Sequence, residues 1–356
     1  QFLDSLQFTT GSSIEKLTNT LVEDEFIYTK QYFQNDKEFQ LMKKKGVFPY
    51  DFFDSQEKLK YDRLPKQEEF RNTLDDTVCS NDDYAHAKLV WDPFKCQTFE
   101  DYHDIYLKSD ILLLTDIFEN FRQTCMQNYG LDAAHYYSAP GLSWDAALKM
   151  TKINLELLTD ERMHSFLEKS IRGGICTISK RFAKANNLFS QNYDPAKLTS
   201  YLIYLDANNL YGWAMSQPMP VGDFSWLKEE EIDYFLDNIK NILDLLDEDE
   251  YGYIFEVDLE YPIELHKLHN DYPLAPERIK IYRDLLSPFQ KKRFPEYQLK
   301  NEHEKLTPNL QDKKKYVVHY RNLKFYIQQG LKVTAIHNVL KFKQKPWLKE
   351  YIDYNT

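Results

Sequence analysis

Apolar positions recur at helical spacing through much of the first 170 residues. Ile14, Leu17, Leu21 and Val22 follow Ser12 and Ser13, two residues suited to cap a helix N-terminus, so residues 11–45 read as helical. Gly46–Tyr50 interrupts the pattern, and the charged, turn-rich stretch that follows to Trp91 and Pro93 reads as a surface connection with short helical pieces. The strongest period runs from Phe99 to Tyr129, where Ile105, Ile111, Leu112, Leu114, Ile117, Phe118, Phe121 and Cys125 keep helical spacing and Gly130 supplies a stop. Helices are also expected over Leu142–Met150 and Asp160–Glu168. Near residue 170 the period changes. Ile171–Ser179 and Tyr201–Leu205 read as strands, the second so apolar that it is expected to be central and covered on both faces. Asp206 ends that strand and a helix follows from about Asn209. Beyond Pro218 and Pro220, Trp226–Leu246 reads as an acidic amphipathic helix, Ile254–Leu259 as a strand, Tyr316–Gln329 as a helix stopped by Gly330, and Val333–Phe342 as a strand. No internal repeat is visible, and the change near 170 is the expected domain boundary.

A length of 356 residues suits two or three compact units, and an apolar fraction of 42% with 26 Tyr and 23 Phe excludes a disordered chain. No apolar run approaches the ~20 residues of a membrane-spanning helix, so a soluble protein without a membrane partner is expected. The opening Gln1-Phe2-Leu3-Asp4 carries neither Met nor an export signal, consistent with a start inside a longer protein. Cys79, Cys96, Cys125 and Cys176 are spaced for neither a zinc knuckle nor a disulfide frame, and read as four reduced, mostly buried thiols of an intracellular protein. The net charge of −11 excludes a uniformly basic coat, but its distribution is uneven. Residues 223–264 hold 15 acids against 2 bases, and residues 287–350 hold 15 bases against 5 acids. Such a chain can grip a phosphate backbone locally while staying acidic overall, although two solvated faces of opposite sign give the same pattern.

Three constellations carry candidate chemistry. Tyr204-Leu205-Asp206-Ala207-Asn208-Asn209-Leu210-Tyr211 sets a carboxylate at the end of an apolar strand, a hard oxygen site suited to Mg²⁺ and substrate phosphates; a simple helix cap is the alternative. Tyr106 and Asp110, four residues apart on a helix, place a phenol and a carboxylate on one face, as a surface pair or as a water-orienting and metal-holding couple. Arg172, Gly173 and Gly174, with Lys180, Arg181 and Lys184 nearby, let backbone approach a ligand beside cations, unless the glycines only serve a bulge or turn.

In this order the three resemble the motifs of the protein-primed family B DNA polymerases of linear-genome phages, viruses and self-synthesising transposons. Tyr106–Asp110 resembles the third exonuclease motif. Arg172-Gly173-Gly174 resembles the glycine-pair motif between exonuclease and polymerase domains, with Ser170 or Ile171 where Tyr is usual. Leu205–Tyr211 resembles the first palm motif, with Gly212 where Pro is frequent. Phe2–Leu6 looks like a strand after the second exonuclease motif. Tyr137–Met150 and Asp271–Glu277 resemble segments of transposon-type members, and Trp347–Thr356 looks like the approach to the second palm motif.

The resemblance implies an α/β (α+β, multidomain) fold. Residues 1–165 would be the C-terminal part of an RNase H-like 3′–5′ exonuclease domain, 166–220 the start of the palm, and 221–356 an insertion that binds a priming protein and returns toward the palm. It further implies that Asp206 binds catalytic Mg²⁺, Ala207–Leu210 cradle the triphosphate and Tyr211 lies under the sugar. Asp110 would bind an exonuclease metal with Tyr106 beside it, and Arg172, Gly173, Gly174, Lys180 and Arg181 would touch DNA. Template and primer strands, deoxynucleoside triphosphates and a priming terminal protein are the implied partners. The second and third palm motifs and the first two exonuclease motifs are absent; Asp24 with Glu25 and Asp258 with Glu260 are carboxylate pairs in other positions. The chain alone is therefore expected not to polymerise DNA, and a non-catalytic DNA- or primer-protein-binding remnant of a mobile element is the alternative.

Overall fold

The computed structural model describes residues 4–9, 11–74, 76–281, 284, 286–293 and 304–356. They form two compact units, Gln1–Met150 and Thr151–Thr356.

The first unit is largely helical: α1 (Ile14–Thr18), α2 (Ile27–Tyr32), α3 (Asp36–Met42), a short ribbon of β1 (Arg71–Asn72) and β2 (Thr77–Val78), then α4 (Asn81–Trp91), α5 (Phe99–Tyr129) and α6 (Ala139–Thr151). Ser13 caps α1 by accepting from the Lys16 N–H, and α5 ends at Gly130 with φ +61, both as the sequence predicts. The stretch before Trp91 differs from its reading as surface: α4 forms there, and Phe52, Phe70, Ala87 and Val90 join the core with Phe26, Phe33, Phe39, Phe99 and Tyr102. Aromatic side chains dispersed without a period can still converge once the chain folds back on α5. Asp116 of α5, 1% exposed, accepts hydrogen bonds from Tyr28 N–H (2.7 Å), Thr29 N–H (3.0 Å) and Thr29 Oγ1 (2.6 Å), and so satisfies the start of α2 from 87 residues away. Of the proposed strand Phe2–Leu6, Phe2 and Leu3 lie outside the described residues, and Ser5–Gln7 is a 3₁₀ turn.

The second unit contains α7 (Glu161–Ser170), α8 (Leu210–Met215), β3 (Met219–Trp226), α9 (Glu229–Asp237), α10 (Lys240–Leu243), β4 (Tyr251–Glu260), α11 (Ile263–His269), β5 (Glu277–Lys280), α12 (Pro288–Arg293), β6 (Glu304–Thr307), β7 (Lys313–His319), α13 (Tyr320–Gln328), β8 (Lys332–Lys345) and α14 (Lys349–Asn355). Strands β3, β8, β4 and β7 make an antiparallel sheet in that order, and β5 pairs with β6. Strand alternation divides its apolar residues. Phe255, Val257, Leu259, Tyr316 and Val318 join a core with Phe235 of α9, Ile242 of α10 and Leu323 of α13, whereas Ile254, Val317, Leu340 and Phe342 pack with Phe166 of α7. The mixture of helices with antiparallel sheets is an α+β architecture.

Four readings of this unit are corrected. Trp226–Leu246 is not one helix: Trp226 ends β3, and the extended backbone of Asn238 separates α9 from α10. Ile171–Ser179 forms no strand. Tyr201–Leu205 is neither central nor covered: it is irregular, with Tyr204 93% and Leu205 85% exposed. A strand needs a neighbour to take its backbone hydrogen bonds, and no described strand pairs with either segment. Tyr316–His319 is strand rather than helix, because its β-branched and aromatic residues pair with Val257–Ile254 of β4 before His319 caps α13.

The two charge blocks also meet. Lys314 pairs with Asp258 (2.9 Å), Lys324 with Asp247 (3.0 Å), Lys332 with Glu260 (2.8 Å) and Lys343 with Glu250 (2.5 Å). Fully buried Lys313 pairs with Glu277 at 3.0 Å. The acidic segment therefore does not point away from the basic one, because antiparallel pairing lays residues 250–260 beside both β7 and β8.

Candidate functional site

The first site is built on α5. Helical spacing puts Tyr106 and Asp110 one turn apart, and the Lys45–Tyr50 segment lies across them. Lys45 Nζ donates to Tyr106 Oη at 2.6 Å and to the Asp110 carboxylate, and it sits 4.3 Å from the centre of the Tyr106 ring. Tyr50 and Tyr106 share a hydroxyl hydrogen bond of 2.7 Å. The segment is held by Tyr102, whose hydroxyl donates to the Val47 carbonyl at 2.7 Å, and by Phe48 against the Tyr106 ring at 4.8 Å. Gly46 permits this approach, since a Cβ there would stand 3.3 Å from the same ring. Burial, then the Tyr50 hydrogen bond and the nearby Asp110 charge, push the Tyr106 hydroxyl well above its ordinary range, so it stays a protonated donor at neutral pH. The Lys45 and Asp110 side chains are 21% and 25% exposed, which leaves the cluster open at one side.

Lys45 and Tyr50 are the functional candidates that the sequence reading missed. Their only local signal is the break Gly46-Val47-Phe48-Pro49-Tyr50, which marks a chain reversal without saying which helix it crosses.

In the second unit, Asp206, Ala207, Asn208 and Asn209 form an exposed segment leading into α8, whose first residues are Leu210 and Tyr211, with Tyr211 85% exposed. Asn209 takes the left-handed conformation (φ +49), and its side chain caps α8 by accepting from the Gly212 N–H at 3.2 Å. Gly212 is required by this cap: an added Cβ would lie 2.4 Å from the Asn209 amide, and a proline would remove the donor. The Asn209 side chain also donates to Thr356 Oγ1 at the end of α14, at 3.3 Å. The helix cap is thus Asn209, and Asp206 stands in solvent without a hydrogen bond or ion pair among the described residues.

Arg172 is partly buried, while Gly173, Gly174, Lys180 and Arg181 are exposed; Lys180 lies 3.9 Å from Asp271. Asp258 is not free for a metal. Burial alone would raise its carboxyl, but the Lys315 N–H (2.8 Å), His337 Nε2 (2.9 Å) and Lys314 Nζ (2.9 Å) outweigh it and hold the group well below the usual carboxylate range. Cys96 and Cys125 are buried, Cys79 is intermediate and Cys176 exposed; all four are free thiols. Among the described residues, no helix is long and apolar enough to cross a membrane.

The family model for DNA polymerase type B, organellar and viral, matches residues 13–356, and the chain belongs to that family. DNA polymerase is therefore its function at the level of the family, with DNA and deoxynucleoside triphosphates as the substrates that membership implies. No curated protein and no solved structure matches the chain significantly.

Family B polymerases generally use Mg²⁺. Among the described residues, no group of three or more His, Cys, Asp or Glu side chains is placed to hold a metal ion. The Asp110 carboxylate is engaged by Lys45 and Asp206 stands alone, so this donor set does not build a two-ion site by itself.

Proposed function

We propose that the chain carries the exonuclease-side and palm-entry parts of a protein-primed family B DNA polymerase. What supports this reading is that the family match runs through all three motif sites in order, Tyr106–Asp110, Arg172–Gly174 and Asp206–Tyr211. In it, residues 1–165 belong to an RNase H-like exonuclease domain, 166–220 open the palm, and 221–356 form the insertion that meets a priming protein. Asp206 is the one carboxylate of the first palm motif, and the described residues bring no second carboxylate beside it to complete a metal site. In-line displacement at phosphorus by the two-ion route needs cations about 4 Å apart, held by more than one carboxylate. Ala207–Tyr211 line the nucleotide side of that turn, which is open to solvent. Lys45, Tyr50, Tyr106 and Asp110 orient a single-strand 3′ end: the ammonium faces a phosphate oxygen, and the protonated Tyr106 hydroxyl donates to a bound water or phosphate.

On this reading the chain alone binds single-stranded DNA and does not extend a primer. The test is a primer-extension and 3′-shortening assay in Mg²⁺ with the wild-type chain, Asp110→Ala, Lys45→Ala and Asp206→Ala. Shortening that falls by about 10²-fold or more in Asp110→Ala and Lys45→Ala supports the exonuclease assignment. Primer extension abolished by Asp206→Ala would support the polymerase while refuting the predicted inactivity. The solitary exposure of Asp206 favours a second reading, a non-catalytic DNA- or primer-protein-binding remnant of a mobile element; DNA binding with neither chemistry would select it.

A further inference from the structure

The sequence pattern makes Arg172 a phosphate ligand beside two glycines, but its guanidinium faces the protein. Nη1 donates to the Val317 carbonyl at 2.6 Å and to the Ser170 carbonyl at 3.2 Å, and the guanidinium carbon lies 3.9 Å from the centre of the Tyr316 ring. Val317 and Tyr316 belong to β7, which lies at one edge of the sheet formed by the described strands, and the arginine takes the Val317 backbone carbonyl as its acceptor. Tyr316 continues the tie, donating its hydroxyl to the Pro276 carbonyl at 3.1 Å.

The glycines that follow are different. Gly173 and Gly174 are exposed, and an added Cβ would meet nothing within 4 Å at either; Gly174 has φ +82. Gly174 is therefore demanded by backbone conformation and not by crowding. Arg172 and Gly173 line a cleft of about 360 Å³ together with Tyr272, Leu274, Phe325 and Tyr326.

We propose that Arg172 is a positioning residue: it clamps the end of α7 to the edge of β7 and so presents the Gly173–Gly174 backbone to a single-stranded DNA backbone, without itself contacting phosphate. The inference rests on the DNA-binding reading above. It separates two roles that charge alone confuses, because a phosphate contact contributes to counterion release whereas a clamp does not. Lysine keeps the charge but loses the planar fork and the ring stacking, so it replaces a phosphate ligand and fails as a clamp.

The experiment measures anisotropy of a short labelled single-stranded oligonucleotide across a salt series with the full chain. The variants are Arg172→Ala, Arg172→Lys, Gly174→Ala and the Arg172→Ala/Gly174→Ala double. Near-UV circular dichroism checks the fold, and if the Arg172→Ala variant is unfolded, the Lys and Gly174→Ala arms decide. Arg172→Ala and Arg172→Lys are each expected to weaken binding by about tenfold, the scale of one charge-assisted hydrogen bond. The slope of log K against log salt stays at the wild-type value, and the double variant binds no worse than the weaker single, since both lesions act through one loop. A slope reduced by about 0.7 in Arg172→Ala and restored by lysine would overturn the proposal in favour of direct phosphate contact. Additive losses, or unchanged binding in both Arg172 variants, would overturn it too. A wild-type chain that binds no oligonucleotide would overturn this inference together with the DNA-binding reading beneath it, which distinguishes that failure from the others.

Discussion

His319 shows how one side chain can serve structure at the cost of acid sensitivity. Its Nδ1 caps α13 by accepting from the Arg321 N–H, and its ring lies against Tyr320 and Phe342 at 4.6 and 6.0 Å. Burial, with Arg321 beside it, lowers its pKa to about 4, and Asp247 only partly opposes this. The unfolded chain binds the proton more readily than the folded one, so the contribution of His319 is complete above pH 6.5 and is lost as pH falls toward 4. Urea unfolding between those values should show a loss of at most about 3 kcal/mol that His319→Asn removes. Lys45 illustrates the complementary point about legibility. A lone lysine before a Gly-Val-Phe-Pro-Tyr break has nothing local to distinguish it; it becomes a candidate only because Tyr102 and Phe48 fasten its segment across the Tyr106 face of α5.

Among the elements, the segment Tyr201–Leu205 departs most from its hydrophobic pattern. Period and composition say buried strand, yet Leu202, Ile203, Tyr204 and Leu205 are each at least 62% exposed. Hydrophobicity records what a segment can bury, whereas a strand exists only where a neighbour supplies hydrogen bonds. As this segment stands, Ile203→Lys and Leu205→Lys should change the unfolding free energy by no more than about 0.5 kcal/mol, as at exposed sites, while raising solubility. A denaturant midpoint shift equivalent to 2 kcal/mol or more, roughly that of burying such a side chain, would show the strand to be covered. Helix α5 is the opposite case. Its long amphipathic period and its terminal glycine act within the segment, so it forms where the pattern places it.

For the whole molecule, charge is the quantity that segment-wise reading misjudges. The block 287–350 carries a net +10 in sequence, but Lys313, Lys314, Arg321, Lys324, Lys332 and Lys343 face carboxylates in the folded unit. All fifteen cations of the block, if free to meet phosphates, would give a salt slope of about −13 on duplex DNA; with these six paired, the slope should be shallower than about −8. Filter binding between 50 and 200 mM salt, roughly the range in which such slopes are read, measures it. A steep slope would mean that the carboxylates give way to phosphate on binding.

The sequence by itself determined the long helix α5 and its stop, the cap at Ser13, the strands around Ile254–Leu259 and Val333–Phe342, and the motif order that marks the family. These depend on neighbours within a few residues or on residue identity alone. Only the tertiary structure decided that Lys45 and Tyr50 complete the Tyr106–Asp110 cluster, that Arg172 turns inward to β7, that cations of the basic block pair with carboxylates of the acidic one, and that Tyr201–Leu205 lies bare. Each of those outcomes depends on which distant segment arrives beside the residue, and pairing partners many residues away leave no periodic trace in the chain.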